Sequence, residues 1–427
     1  MQARVKANDF SGAMLVARKG EILLSKGYGE ANLEWKIPIS PTTRFRIGSI
    51  TKQFTATLIM QLQERHRLQV IDPICQYLDP CPEVWKPITI RQLLSHTAGI
   101  PNYTDEPNFD QKEPLHWNVD QIIAMFRDKP LEFAPGSDWK YSNSGYVLLG
   151  AIIEKVTGKS YEDVLKEQIL VPLGMSDSGI DHREVILDRR AVGYSIKNGA
   201  VVNATFVDLS WGYAAGAMYS TTLDLYKWDR ALRGESVLPQ AALTEMWTPV
   251  KNHYGYGWGI QQSGDGLTKH LELSHNGGLA GFSSSIIRFP EEDAVVIVLA
   301  NIDGGQASAV GNALNAILHG EPFLVPTKVA GSAAALDRYL GDYEVEKQGI
   351  IRFSRMADQL SVQLMGAPGQ PSFPAVAVSG SKIICENMNA SIDFRNEDSV
   401  SGDEMVITAN GGKTIRTGHR VVSKDVH

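Results

Sequence analysis

Ser49 and Lys52 stand three positions apart in FRIGSITKQFTATLIMQLQ, residues 45 to 63. A serine hydroxyl becomes a good nucleophile only when a base takes its proton. The run around them places Ile50, Phe54, Leu58 and Leu62 at four-residue steps, which predicts a helix over 50–66. Residues three apart on a helix share a face, so the lysine amine can reach the serine. A helix start also offers free N–H groups and the positive end of the dipole. Both favour an oxyanion and disfavour charge on a nearby lysine. Gly48 removes side-chain bulk where a substrate carbonyl would approach. A nucleophile, a base and one oxyanion donor, the N–H of Ser49, thus fit into one turn. A capped surface helix can carry the same Ser-x-x-Lys pattern, so the pair needs partners from elsewhere in the chain.

Two segments offer them. WKYSNSGY places Tyr141 and Asn143 just ahead of a helical pattern. A phenol can relay protons if cations nearby lower its pKa, and an amide can both donate to and accept from a substrate. SHNGGLAGF places His275, Asn276, Gly277 and Gly278 at the end of a strand pattern. Glycines there would let a substrate lie against the backbone, with the N–H of Gly278 as a second oxyanion donor. His96, in LLSHTAGIP, reads as a structural histidine satisfying loop backbone. Trp211, Tyr213, Tyr219 and the run YGYGWGI at 254–260 read either as cleft lining or as core. Glu272 and Asp224 show no acid–base partner in the sequence.

The elements that must position these groups follow from pattern and punctuation. FSGAMLVARKGEILLSKGYGEANLEW reads as two or three strands with a turn at Lys19-Gly20. SGYVLLGAIIEKVTG reads as a helix capped by Asn143 or Ser144 and ended by Gly158. HLELSHNGG, GFSSSIIRFP and DAVVIVLAN read as a meander, and 305–318 as a closing helix. Strands early and late with helices between predict an α+β architecture. It has one antiparallel sheet built from both ends of the region, flanked by helices and joined to a helical subdomain. The expected domains are 1–320, a linker over 321–335, and 336–427. The last reads as short alternating strands closing into a small antiparallel β-barrel.

Order and combination give the pattern its meaning. Ser-x-x-Lys, then Tyr-x-Asn, then His-x-Gly resemble the serine β-lactamase and penicillin-binding-protein superfamily, and its class C branch most closely. ITIRQLLSHTAGIPNY at 88–103, the stretch FAPGSDWKYSNSGY…LVPLGM at 133–175 and AAGAMYSTTLDLYKW at 214–228 fit as well. The tail resembles the lipocalin-like domain carried by some members. The resemblance implies that Ser49 forms the acyl-enzyme and that Lys52 deprotonates it or shares a proton with Tyr141. It implies that Tyr141 passes a proton to the leaving group, and that Asn143, with Asn276 and Gly277, binds substrate. The N–H groups of Ser49 and Gly278 would form the oxyanion hole. His275 stands where β-lactamases carry a lysine. A histidine, with an ordinary pKa of about 6.5, lacks that permanent cation at neutral pH. The expectation is therefore a serine hydrolase of amides, peptides or esters, D-amino-acid peptides among them, without metal or cofactor. Weak β-lactamase activity, or a silent penicillin-binding or regulatory role, is the alternative.

The chain's 427 residues carry 41 basic and 48 acidic side chains, a net charge of −7. That disfavours nucleic acid as a partner. The longest strongly apolar run, AVVIVLA, is far short of a membrane span. The substrate is therefore expected to be a small molecule or peptide, with self-association through the C-terminal domain open. Cys75 and Cys81 flank a turn-favouring Asp-Pro. They could close a disulfide in an oxidising compartment or stand as free thiols in a cytosolic enzyme. The start MQARVKANDF has no apolar signal region. The protein is expected in the periplasm or outside the cell if a signal has been trimmed, and in the cytoplasm otherwise.

Overall fold

The computed structural model describes residues 10–197, 200–263, 270–304, 306–321, 337–345, 349–356, 359–364, 372–379, 381–385, 390–395, 404–409 and 414–421. The chain folds as two compact units. One comprises Met1–Ser195 with Val202–Ala307, the other Ile196–Val201 with Ser308–His427. All but the first residue of the expected linker lies outside the described residues.

In the first unit, both ends of the sequence meet in one sheet. Its strands are β1 (Gly12–Arg18), β2 (Glu21–Tyr28), β3 (Gly259–Ser263), β4 (His270–Leu279), β5 (Phe282–Phe289) and β6 (Ala294–Ala300), in the order β3-β4-β5-β6-β1-β2. All neighbours pair antiparallel, and β1 lies along β6 from Gly12 opposite Ala300 to Arg18 opposite Ala294. The β1–β2 turn is Lys19-Gly20, both with positive φ, which suits the right-handed twist of the hairpin. Every residue of β5 and β6 is buried. That explains why β6 reads as a continuous apolar run rather than an alternating one, while the buried Ser283, Ser284 and Arg288 of β5 each have a polar partner.

Against this sheet stands α1 (Thr51–Glu64), entered through a 3₁₀ turn over Gly48–Ile50. The four-residue periodicity predicts one buried face, yet Thr51 to Leu62 are buried all round. The polar members survive there because each finds a partner. Thr55 bonds Tyr161 and the carbonyl of Ala214, Thr57 the carbonyl of Gln53, and Gln61 the carbonyl of Val237. The helical subdomain gathers around α2 (Asn143–Thr157), with short helices at Ile90–Leu94, Val119–Ala124 and Tyr161–Leu165 packed against it. α2 ends at Gly158, left-handed at φ 71. Its N-cap is Ser142, with no side-chain cap bond. The expected cap residues are otherwise engaged: Asn143 bonds Lys52, and Ser144 donates to the carbonyl of Pro101. Cys75 and Cys81 are joined as a disulfide with Cα atoms 5.5 Å apart.

The second unit contains a closed eight-stranded antiparallel barrel: β7 (Gly341–Val345), β8 (Gly349–Met356), β9 (Gln359–Leu364), β10 (Ser372–Ala377), β11 (Lys382–Cys385), β12 (Ala390–Arg395), β13 (Glu404–Ala409) and β14 (Thr414–Arg420). The closing strand β14 escapes sequence reading because its alternation is carried by Thr and Arg and broken by Gly418. The barrel fits a lipocalin-like domain, and its own side chains fill it. Tyr343, Phe353, Ile383, Ile392, Phe394 and Met405 are all buried, and Tyr339 stacks on Phe394 at 4.1 Å. Among the described residues no helix is long and apolar enough to cross a membrane.

Candidate active site

The site is built on the 3₁₀ turn ahead of α1, and that turn is clamped by backbone. Gly48 sits in the left-handed region at φ +51, and a Cβ there would stand 3.0 Å from the amide nitrogen of Gly278. The side-chain position of Gly277 is occupied by the carbonyl oxygen of Ile47 and the hydroxyl of Ser284. Ser284 lies opposite Gly277 on β5 and donates to that same carbonyl at 2.8 Å. Thr51 closes the other side, donating to the Gly48 carbonyl at 2.7 Å. Both glycines therefore let the protein's own turn meet β4. This corrects the expectation that Gly48 and Gly277 make room for substrate. Gly278 is exposed, with open space where a side chain would be, and its amide nitrogen lies next to the turn that carries the partly exposed Ser49.

The predicted nucleophile and base are brought together. Lys52 Nζ lies 3.0 Å from Ser49 Oγ, 2.8 Å from Asn143 Oδ1 and 2.8 Å from the carbonyl oxygen of Ala215. Lys52 is fully buried, and burial pushes its amine well below the ordinary lysine range. In its neutral form the amine would have two N–H groups for the two fixed carbonyl oxygens and a lone pair for the proton of Ser49. Tyr146, on α2, and Tyr141 turn their ring faces to the same amine, 5.4 and 4.8 Å from their centroids.

Tyr141 also arrives where expected, its hydroxyl hydrogen-bonded to Ser49. Its electrostatics differ from the expectation. Burial raises its pKa, and the bond to Ser49 only partly opposes this. The phenol therefore keeps its proton at neutral pH, because burial outweighs the bond to Ser49.

Asn143 is held from both ends. Its Oδ1 accepts from Lys52, its Nδ2 donates to Thr104 at 3.0 Å, and its backbone N–H donates to Asn102 Oδ1. One amide N–H is left for a substrate carbonyl. Asn276 is exposed on the face of β4 that carries Gly278, opposite to His275.

His275 is buried beside this cluster. Its Nδ1 lies 2.7 Å from the carbonyl oxygen of Asn276 and its Nε2 lies 2.8 Å from the hydroxyl of Tyr254. Burial, with Lys52 adding to it, holds the imidazole down at about 3. His96 has the structural place expected of it, with φ 60 and its Nδ1 accepting the backbone N–H of Ser142. Its ring packs 4.3 Å from that of Tyr141, and burial keeps it neutral too. Trp211 is core. Asp224 is structural, accepting from the N–H of Asp177 and the hydroxyl of Ser178.

Tyr146, Thr104 and the carbonyl of Ala215 are site groups that sequence reading passes over, and Tyr254 reads only as part of a run that lines a cleft or fills the core. Tyr254 heads the YGYGWGI run, whose alternating glycines gave the only signal. Ala215 acts through its backbone, which no residue type announces.

The comparisons agree with this geometry. A family model described as Beta-lactamase matches residues 1–321. Penicillin-binding protein 4* of Bacillus subtilis (strain 168) is 29% identical over 417 residues, spanning 91% of this chain and 90% of that one. The structure of an octameric penicillin-binding protein homologue from Pyrococcus abyssi matches with TM-score 0.69 and 27% identity, covering 97% of each chain. D-amino acid amidase from Ochrobactrum anthropi SV3, solved with L-phenylalanine, matches with TM-score 0.63 and 28% identity over 74% of this chain and 95% of its own.

Proposed function

The chain belongs to the beta-lactamase family, and from that premise we propose that it is a serine hydrolase acting through an acyl-enzyme at Ser49 on amide, peptide or ester bonds, those of D-amino-acid derivatives included. The observation that carries this is the buried amine of Lys52, set 3.0 Å from Ser49 Oγ and held there by the oxygens of Asn143 and Ala215. In acylation Lys52 Nζ takes the Ser49 proton as Oγ bonds to the substrate carbonyl carbon. The oxyanion receives the N–H groups of Ser49 and Gly278. As the bond to the leaving group breaks, Tyr141 gives that group its proton, and the proton held by Lys52 restores the phenol. Water then repeats the sequence on the ester of Ser49, and Ser49 regains its proton as the acid departs. The free N–H of Asn143 orients the substrate amide.

A D-amino acid amidase among the structural neighbours supports the substrate class. Ser49→Ala should abolish turnover of p-nitrophenyl esters and D-aminoacyl p-nitroanilides, together with labelling by a fluorophosphonate. Retained turnover in that variant refutes the assignment. The full-length relative named as a penicillin-binding protein favours a second reading, slow release of a penicilloyl group. A stable adduct seen by intact mass, without turnover of any ester, would establish that reading instead. The octameric homologue supports self-association, which sedimentation would test. The Cys75–Cys81 disulfide supports an oxidising compartment. Three free thiols in the denatured, unreduced protein would reject it.

A further inference from the structure

His275 occupies the position at which this family's lactamases present a cation, yet the protein has used both of its ring nitrogens. A carbonyl oxygen can only accept, so the 2.7 Å contact with Asn276 fixes the proton on Nδ1. Nε2 is then the acceptor, and the hydroxyl 2.8 Å away on Tyr254 must be its donor. The next hydroxyl, on Tyr146, is also hydrogen-bonded to that of Tyr254 and to the N–H of Gly257, and gives its own proton to the carbonyl of Leu94 at 2.8 Å. The contact of Tyr254 with Nε2 is the close one, at 2.8 Å. Tyr254 is itself buried, with its ring packed against those of His96, Trp139, Tyr141 and His275, so the arrangement cannot swing away. Lys140, the nearest basic residue in sequence to Tyr141, is already paired with Glu132 and Asp105.

We propose that Tyr254 is a specificity-determining positioning residue: by donating to Nε2 of His275 it withholds the N–H and the charge that a substrate carboxylate would need, and so selects substrates uncharged on the leaving side of the scissile bond. The proposal rests on the serine-hydrolase reading and adds to it which amides and esters are taken. A carboxylate entering the site would lose water and gain no partner at His275. An amide or alkyl ester loses little. Asn276, exposed on the neighbouring face of β4, offers such neutral groups an amide rather than a charge.

The test uses two thioesters with the same acyl group, one whose leaving thiol bears a free carboxylate and its methyl-ester twin, followed with a thiol reagent at neutral pH. Wild type should favour the methyl ester at least tenfold in kcat/KM. Tyr254→Phe, which frees Nε2, should narrow that ratio at least threefold, mainly through KM for the carboxylate. His275→Lys should carry the preference further towards the carboxylate twin. Wild-type constants that are equal for the twins, or larger for the carboxylate, overturn the proposal while leaving the hydrolase intact. A Tyr254→Phe enzyme that slows both twins equally also overturns it, showing a packing role. If Tyr254→Phe does not fold, the wild-type ratio and His275→Lys still decide. Absence of turnover of either twin in wild type sinks the hydrolase reading, and the proposal with it.

Discussion

The carbonyl oxygen of Ile47 fills the space that a side chain on Gly277 would occupy. Neither partner is a flexible side-chain tip, so the turn bearing Ser49 and the strand bearing Gly278 meet as two rigid backbones. Gly277→Ala should push them apart and lower kcat/KM at least 100-fold, with a fall in Tm. Gly48→Ala should do less, since its neighbours stand at 3.0 Å or more and the left-handed φ costs about 1 kcal/mol. Gly234→Ala, with nothing nearby, serves as the unchanged control. Steady-state kinetics and thermal melts of the three variants check the order.

The base is a lysine whose pKa burial has lowered. Its active form is the neutral amine, so kcat/KM should fall as pH drops through the lowered value, with the slope of one proton. Stability follows the same sign. The unfolded lysine keeps its proton up to about pH 10.4. Between the folded and unfolded values the unfolded state therefore binds more protons, and stability rises with pH. Lys52→Arg, permanently charged, should lose about 10²–10⁴ of the rate. A pH–rate profile without an acid limb would contradict this assignment.

Asn143 tests the same point from the other side. Its Oδ1 lies 2.8 Å from Lys52 Nζ. Asn143→Asp would set a carboxylate against the amine and favour its charged form. The acid limb should then move to higher pH, whereas loss of substrate binding alone would raise KM without moving it.

Arg288 and Asp229 form a buried ion pair at 2.9 Å, their side chains 1% and 5% exposed. The guanidinium also lies over the rings of Trp247 and Trp258. Removing one partner leaves a buried charge, so Asp229→Asn should cost about 3–5 kcal/mol. Replacing both by apolar residues should recover much of it. Denaturant unfolding reads both effects.

The disulfide closes a short loop, its cysteines six positions apart. Cys75→Ser with Cys81→Ser should remove about 2 kcal/mol on the chain-entropy account and leave kcat unchanged. A kcat that falls with the substitution would tie this loop to the site.

What the sequence could disclose depended on distance along it. Ser49 and Lys52 share one turn, so their partnership is visible as spacing. Tyr141 and His275 could be named through their motifs. The bond from Tyr254 to His275 runs from the segment ahead of β3 to β4 and could not be read. Charge states were harder still. The low pKa expected for Tyr141 assumed a charged neighbour, but burial raises the phenol and lowers the amine of Lys52 together. The purpose of Gly277 was hidden because glycine marks close approach without saying what approaches. Helix α1 looked one-sided because the partners of its threonines and glutamines lie far off in the chain.

The barrel of the second unit closes by pairing β7 with β14. A ring of strands has no unpaired rim onto which another polypeptide could add as a further strand, and its centre is taken by its own rings. Anything that recognises the barrel must therefore read the outward side chains of its strands, where sequence can change without disturbing the hydrogen-bonded frame.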